Sequence, residues 1–141
     1  MNTPTVGIIV SVFNENEIIE KFHTEISNYL FEKKINATIY YVNDGSSDNT
    51  LEILLKLKNN GITVINFSRN FGHEAAMLAG LDNAKEDALI FIDGDLQHPI
   101  EKIEEMLTAF SKGAEIVKMQ RVSREDGGIL KKITSKLFYK I

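Results

Sequence analysis

Two carboxylates separated by one glycine, Asp93-Gly94-Asp95, stand at the end of the apolar run Ala88-Leu89-Ile90-Phe91-Ile92. Five apolar residues suit a buried strand and fall short of a helix. If extended backbone continues through them, Asp93 and Asp95 point to the same side. Carboxylates brought together in this way repel each other unless a positive charge lies between them. A divalent cation holding phosphate oxygens meets that need, because Mg²⁺ takes one or two carboxylates and completes its shell with phosphate and water. Gly94 lets backbone and ligand approach closely. Pro99 suits the first turn of a following helix.

Other polar groups stand at the ends of other apolar runs. Val6-Gly7-Ile8-Ile9-Val10-Ser11-Val12-Phe13 is a buried, β-branched first strand that ends at Asn14-Glu15-Asn16-Glu17. The acids there suit the positive end of a helix, and Ile18, Ile19, Phe22, Ile26, Tyr29 and Leu30 give that helix one apolar stripe. Thr38-Ile39-Tyr40-Tyr41-Val42 is a second strand, followed by Asn43-Asp44-Gly45-Ser46-Ser47-Asp48-Asn49-Thr50, a loop dense in turn and N-cap residues. The next helix runs through Leu51, Leu54, Leu55 and Leu57 and stops at Asn59-Asn60-Gly61. A third strand, Ile62 to Ser68, leads through Arg69-Asn70-Phe71-Gly72-His73 into a helix whose Ala75, Ala76, Ala79 and Gly80 permit close packing on a sheet. The Asp93 strand is the fourth, and Ile103, Met106, Leu107 and Phe110 mark its helix, which Gly113 ends. Glu115 to Arg121 reads as a fifth, edge-like strand.

Strands alternating with helices predict βαβ units with right-handed crossovers: an α/β fold of three layers around a mostly parallel sheet. In such sheets the loops after successive strands share one rim. Asn14, Glu15, Asp44, Ser68, Arg69, Asp93 and Asp95 therefore converge on one crevice. Roles for His73, in a helix's first turn, and His98, beside Pro99, stay open between structure and ligand.

The composition bounds the classes. A chain of 141 residues, 43% hydrophobic and 26% charged, predicts one soluble globular domain. Without cysteine, neither disulfides nor thiolate metal ligands enter. No signal peptide and no run approaching the ~20 apolar residues of a membrane span is visible, which predicts a cytoplasmic location. The net charge is −4, but from Arg121 onward six Lys/Arg face two Asp/Glu, so residues 1–120 carry −8. So acidic a body argues against nucleic acid as a partner. Ile129, Leu130, Ile133, Leu137 and Ile141 recur at helical spacing with Lys131, Lys132 and Lys136 mainly opposite. Residues 128–141 thus read as an amphipathic basic helix, packed on its own domain or lying on an anionic membrane surface.

The run Val42-Asn43-Asp44-Gly45-Ser46-Ser47-Asp48-Asn49-Thr50 resembles the signature of inverting family 2 glycosyltransferases with the GT-A fold. Ser68-Arg69-Asn70-Phe71-Gly72-His73-Glu74-Ala75-Ala76 and Asp93-Gly94-Asp95-Leu96-Gln97-His98-Pro99 are similar to the branch that includes dolichyl-phosphate mannose synthase and bacterial undecaprenyl-phosphate glycosyltransferases. Arg121 to Glu125 and Thr134 to Tyr139 continue the likeness, which covers essentially the whole chain. The resemblance implies a nucleotide-sugar donor and a polyprenyl-phosphate or saccharide acceptor. It implies that Asp44 binds the base, that Phe13, Asn14, Glu15 and Arg69 lie at the nucleotide, and that Asp93 lies near ribose and metal. Asp95 would coordinate Mg²⁺ or Mn²⁺ with Gln97 as a further ligand, and Arg121 and Arg124 would meet phosphates.

Ser11 departs from the family's usual proline, and Gly94 from its common alanine. The length departs further. Members of the family run well beyond this point, which implies an N-terminal donor-binding portion of a protein acting at the inner face of the cell membrane. A carboxylate base for a hydroxyl acceptor would lie beyond Ile141, whereas a phosphate acceptor, with a second pKa near ~6, needs little base catalysis. Two alternatives place acids at the same rim. A haloacid-dehalogenase-like phosphatase uses an Asp-x-Asp near its N-terminus with Thr or Val where this chain has Gln97. A non-catalytic receiver-like module needs a lysine where this chain has Arg121.

Overall fold

In the structure, a computed structural model, residues 3–59, 61–97 and 99–118 are described. Four strands and four helices alternate: β1 Val6–Val12, α1 Ile19–Glu32, β2 Ala37–Asn43, α2 Thr50–Leu57, β3 Ile62–Asn66, α3 His73–Asn83, β4 Ala88–Asp93 and α4 Lys102–Ser111. The strands form one parallel sheet in the order β3-β2-β1-β4. The order reverses between β1 and β4, so the rim has a switch point where Ser11 pairs with Asp93.

Period-two alternation in β2 divides the layers. Tyr41 faces α1, its ring edge-on to Phe22 at 6.4 Å, and α2 lies beside α1. Tyr40 and Val42 face the other way and share a cluster with Ile9 and Ala76 of α3. The small residues of α3 act as their sequence suggests. A Cβ on Gly80 would stand 2.3 Å from Ile9 Cγ2, so the helix reaches the sheet only because that atom is missing.

Several boundaries differ from the sequence expectation. Strand β1 ends at Val12 and leaves Phe13 46% exposed in the loop. The turn into α1 begins at Glu15, whose carbonyl accepts from the Ile18 and Ile19 N–H groups, and the regular helix starts at Ile19. Of the leucines expected to mark α2, Leu55 is 53% exposed, whereas Leu54 is buried together with Thr50. The chain divides at Ile100: Met1–Ile100 form one compact unit, and the described residues of Glu101–Ile141 belong to a second. In that second unit α4 buries Ile103, and Gly113 ends it at φ +97 with its N–H on the Phe110 carbonyl. The expected fifth strand lies mostly outside the described residues, with an isolated bridge at Lys118. The expected helix over 128–141 lies wholly outside them.

Candidate donor-binding site

An open crevice of ≈ 430 Å³ lies at the carboxyl ends of the strands, lined by residues that follow all four of them. Ser11, Phe13 and Glu15 come from β1 and its loop, and Asp44 from the loop after β2. Asn70, Gly72 and His73 follow β3, and Asp93, Gly94 and Asp95 end β4. The convergence follows from parallel pairing, which sends every strand's following loop to one edge.

Asp93 is the last residue of β4, and the backbone turns immediately after it. The alternation that would place Asp93 and Asp95 on one side therefore does not operate. A tight turn brings them together instead: Asp95 Oδ1 accepts the Gln97 N–H at 2.9 Å, and Leu96 takes φ +62. A left-handed leucine costs on the order of 1–3 kcal/mol, which the surroundings must impose. Gly94, which lines the crevice, also has a packing reason. A Cβ there would stand 2.7 Å from Val12 Cγ1, so the glycine makes room for β1. His73 Nδ1 lies 3.5 Å from Asp93 Oδ1. Gln97 is exposed, and its backbone holds the turn.

The base of the crevice is fastened by side chains from different loops. Asp44 is 3% exposed; its Oδ1 accepts the Phe71 N–H at 2.8 Å and its Oδ2 the Asn70 side-chain N–H at 3.2 Å. The loop after β2 is thereby clamped to the loop after β3. Gly45 permits the approach: its φ is +68, and a Cβ would fall 2.1 Å from the Arg69 carbonyl carbon. Arg69, expected at the nucleotide, lies with its guanidinium 4.7 Å from the centre of the Phe71 ring, and the crevice wall here is Asn70 and Gly72. Asn14 turns its side-chain oxygen to the loop after β2, where it accepts from Ser47 and Asp48. Ser11, noted above only as a departure from the family's proline, joins the lining with Asn70 and Gly72, which the sequence reading gave no role. The signal for them was the same rim argument that selected Ser68 and Arg69.

The field in the crevice is negative. Burial, then the charges of Asp95 and Asp48, push the Glu15 carboxyl above the usual carboxylate range. For Asp48, burial works upward, but hydrogen bonds from the Thr50 hydroxyl, the Thr50 N–H and the Asn16 N–H outweigh it and hold the group below its ordinary value. Among the described residues no group of three His, Asp or Glu side chains could hold a metal alone. Two carboxylates, Asp93 and Asp95, with Glu15 nearby, fit a hard cation that takes its remaining oxygens from a bound phosphate and water.

The sequence profile of glycosyl transferase family 2 matches residues 7–140. The chain belongs to this family. Among its relatives, the bactoprenol glucosyl transferase of Shigella phage SfV is 39% identical over 138 residues, 96% of this chain and 45% of that protein. The uncharacterized glycosyltransferase YkcC of Bacillus subtilis is 38% identical over 137 residues, 96% of this chain and 42% of that one. The chain thus spans less than half the length of these relatives. The mannosyltransferase PcManGT of Pyrobaculum calidifontis, solved with GDP-Man and Mn²⁺, superposes with a TM-score of 0.67 at 19% identity over 80% of this chain and 34% of that one. Residues 1–349 of S. aureus TarS, solved with UDP-GlcNAc, give 0.62 at 24% identity over 91% and 37%. These neighbours share the GT-A fold with this chain.

Proposed function

We propose that this chain is the donor-binding part of a metal-dependent, inverting glycosyltransferase that moves a sugar from a UDP- or GDP-sugar to a polyprenyl phosphate. A saccharide is the alternative acceptor. The observation that carries this reading is the crevice itself: an acidic pocket at a sheet's switch point, with two carboxylates at one strand end. The bactoprenol relatives support the lipid-phosphate acceptor, and the GDP-Man and UDP-GlcNAc neighbours support the donor class.

In this reading Phe13, Glu15 and Asp44 meet the nucleoside, with Asn14 and Arg69 in the loops beside it. Asp93 and Asp95 hold Mg²⁺ or Mn²⁺, with Gln97 as a further oxygen donor. A cation there would supply charge neutralisation for the departing nucleoside diphosphate. The buried Asp44 clamp keeps the loop floor in place before ligand arrives, which lowers the ordering cost of binding. Arg121 and Arg124, outside the described residues, would meet phosphates. The protein would act at the inner face of the cell membrane, reaching its acceptor by contact with the membrane surface. Among the described residues no helix is long and apolar enough to cross a membrane.

Calorimetric titration of the chain with UDP and with GDP, in Mn²⁺ and in chelator, tests the site. At least one nucleotide should bind roughly tenfold or more tightly with metal, and Asp95→Ala should abolish that gain. Equal binding with chelator, or an Asp95→Ala variant that behaves as the parent, contradicts the assignment.

A further inference from the structure

We infer that Asn14 is a positioning residue for the donor crevice, a latch that joins the β1 loop to the β2 loop through its side-chain oxygen. The inference rests on the donor-binding reading and adds to it a means of preforming the site. Asn14 stands in left-handed backbone at φ +51, among three described non-glycine residues with positive φ. That conformation is costly unless the side chain repays it, and Asn is a residue that tolerates it. The repayment is visible. Asn14 Oδ1 accepts from the Ser47 N–H at 2.8 Å, the Ser47 hydroxyl at 3.3 Å and the Asp48 N–H at 3.4 Å. Its own N–H donates to Ser46 Oγ at 2.9 Å.

The latch continues across the rim. Ser46 Oγ donates to Asn43 Oδ1 at 2.6 Å, and Asn43 Nδ2 donates to Asn66 Oδ1 at 2.9 Å. The ends of β1, β2 and β3 are thus linked in one chain of hydrogen bonds, which β1 enters through the Asn14 backbone N–H. The next residue adds a second tie to the same loop, because Glu15 donates its N–H to Thr50 Oγ1 at 3.0 Å. Phe13 and Glu15, the residues before and after Asn14, both line the crevice, so fixing Asn14 fixes the backbone that joins them. Ser47 and Asp48 bond the Asn14 side chain through its oxygen, so a carboxylate of the same shape can replace it.

This suggests a series of three variants of the full chain. Asn14→Ala removes both acceptor and tolerance of positive φ, Asn14→Gly removes the acceptor alone, and Asn14→Asp keeps it. Each is measured for hydrogen exchange at the Ser47 and Asp48 amides without ligand, and for UDP and GDP binding in Mn²⁺ at high salt, which screens the charge Asn14→Asp adds. The inference predicts faster amide exchange and roughly tenfold weaker binding for Ala and Gly, both largely restored by Asp. Weakened binding in all three variants with unchanged exchange overturns it, because that is the pattern of a residue touching ligand through its amide nitrogen. Faster exchange with unchanged affinity also overturns it, leaving only a structural bond. If the parent binds neither nucleotide, the donor reading fails, and the exchange of the two amides still decides whether the latch exists.

Discussion

Asp44 shows how one residue serves both loop architecture and the proposed chemistry. Its carboxylate is buried and accepts at 2.8 Å from a backbone N–H 27 residues away. Removing it leaves the Phe71 N–H without its acceptor, a loss of about 1–3 kcal/mol. Asp44→Ala should therefore lower the melting temperature by several degrees, and Asp44→Asn, which keeps one acceptor oxygen, by less. Nucleoside monophosphate binding in chelator should weaken in the Ala variant, since the proposed base contact needs no metal. A melting temperature equal to the parent's would remove the clamp from the account, and equal affinity would return this loop to a purely capping role. Gly45 belongs to the same contact and has no tolerance for a side chain.

At the scale of elements, α1 is tied to β2 by a polar contact inside an apolar layer. His23 Nδ1 lies 2.7 Å from the Tyr41 hydroxyl, and Nε2 lies 3.3 Å from Ser27 Oγ. Burial lowers the His23 pKa and raises that of Tyr41, so the pair is neutral near pH 7. The sign follows from proton counting. Below the ordinary value of 6.5 the unfolded chain takes up a proton that folded His23 refuses until lower pH. Stability should therefore be full above pH 6.5 and fall as pH drops through the depressed folded value. Denaturant melts from pH 7.5 to 5 should show this loss, and His23→Gln should flatten it. Identical pH slopes for parent and variant would show that His23 is not responsible. Asp48 and Glu86, whose pKa values are lowered, lose their contributions further down, below about 4.5, and do not confuse the window.

Over the whole molecule, charge is divided between an acidic body and a basic end. Residues 1–120 carry −8, whereas Lys131, Lys132 and Lys136 stand among apolar residues at helical spacing. If that segment is the membrane contact of the proposed enzyme, each lysine near an anionic surface contributes about 1 kcal/mol, screened by salt. The chain should then sediment with phosphatidylglycerol vesicles at low salt. Release is expected at high salt or on Lys131/Lys132/Lys136→Glu. Equal sedimentation with neutral vesicles, or none at low salt from folded protein, would assign the segment to packing on its own domain.

The alternation of elements was legible because it depends on neighbours a few residues apart. Residues 6–10 and 88–92 are continuous runs without a polar side chain, and the small residues of α3 announced a close approach to the sheet. Parallel pairing then dictates that Glu15, Asp44 and Asp93 share a rim. The assignments that depended on tertiary structure involve polar partners far apart in the chain. Asp44 could cap its own helix or clamp another loop, and the choice of the loop at Phe71 follows from β3 lying beside β2. Asn14 could face a ligand or a neighbouring loop, and its partners 33 and 34 residues on are set by the pairing of β1 with β2. Asp93 and Asp95 reach one crevice at a turn that continues into a left-handed Leu96, a geometry that a leucine does not advertise. Periodicity is local and survives in the sequence, whereas a hydrogen-bonding side chain has many acceptable partners until strand order selects one.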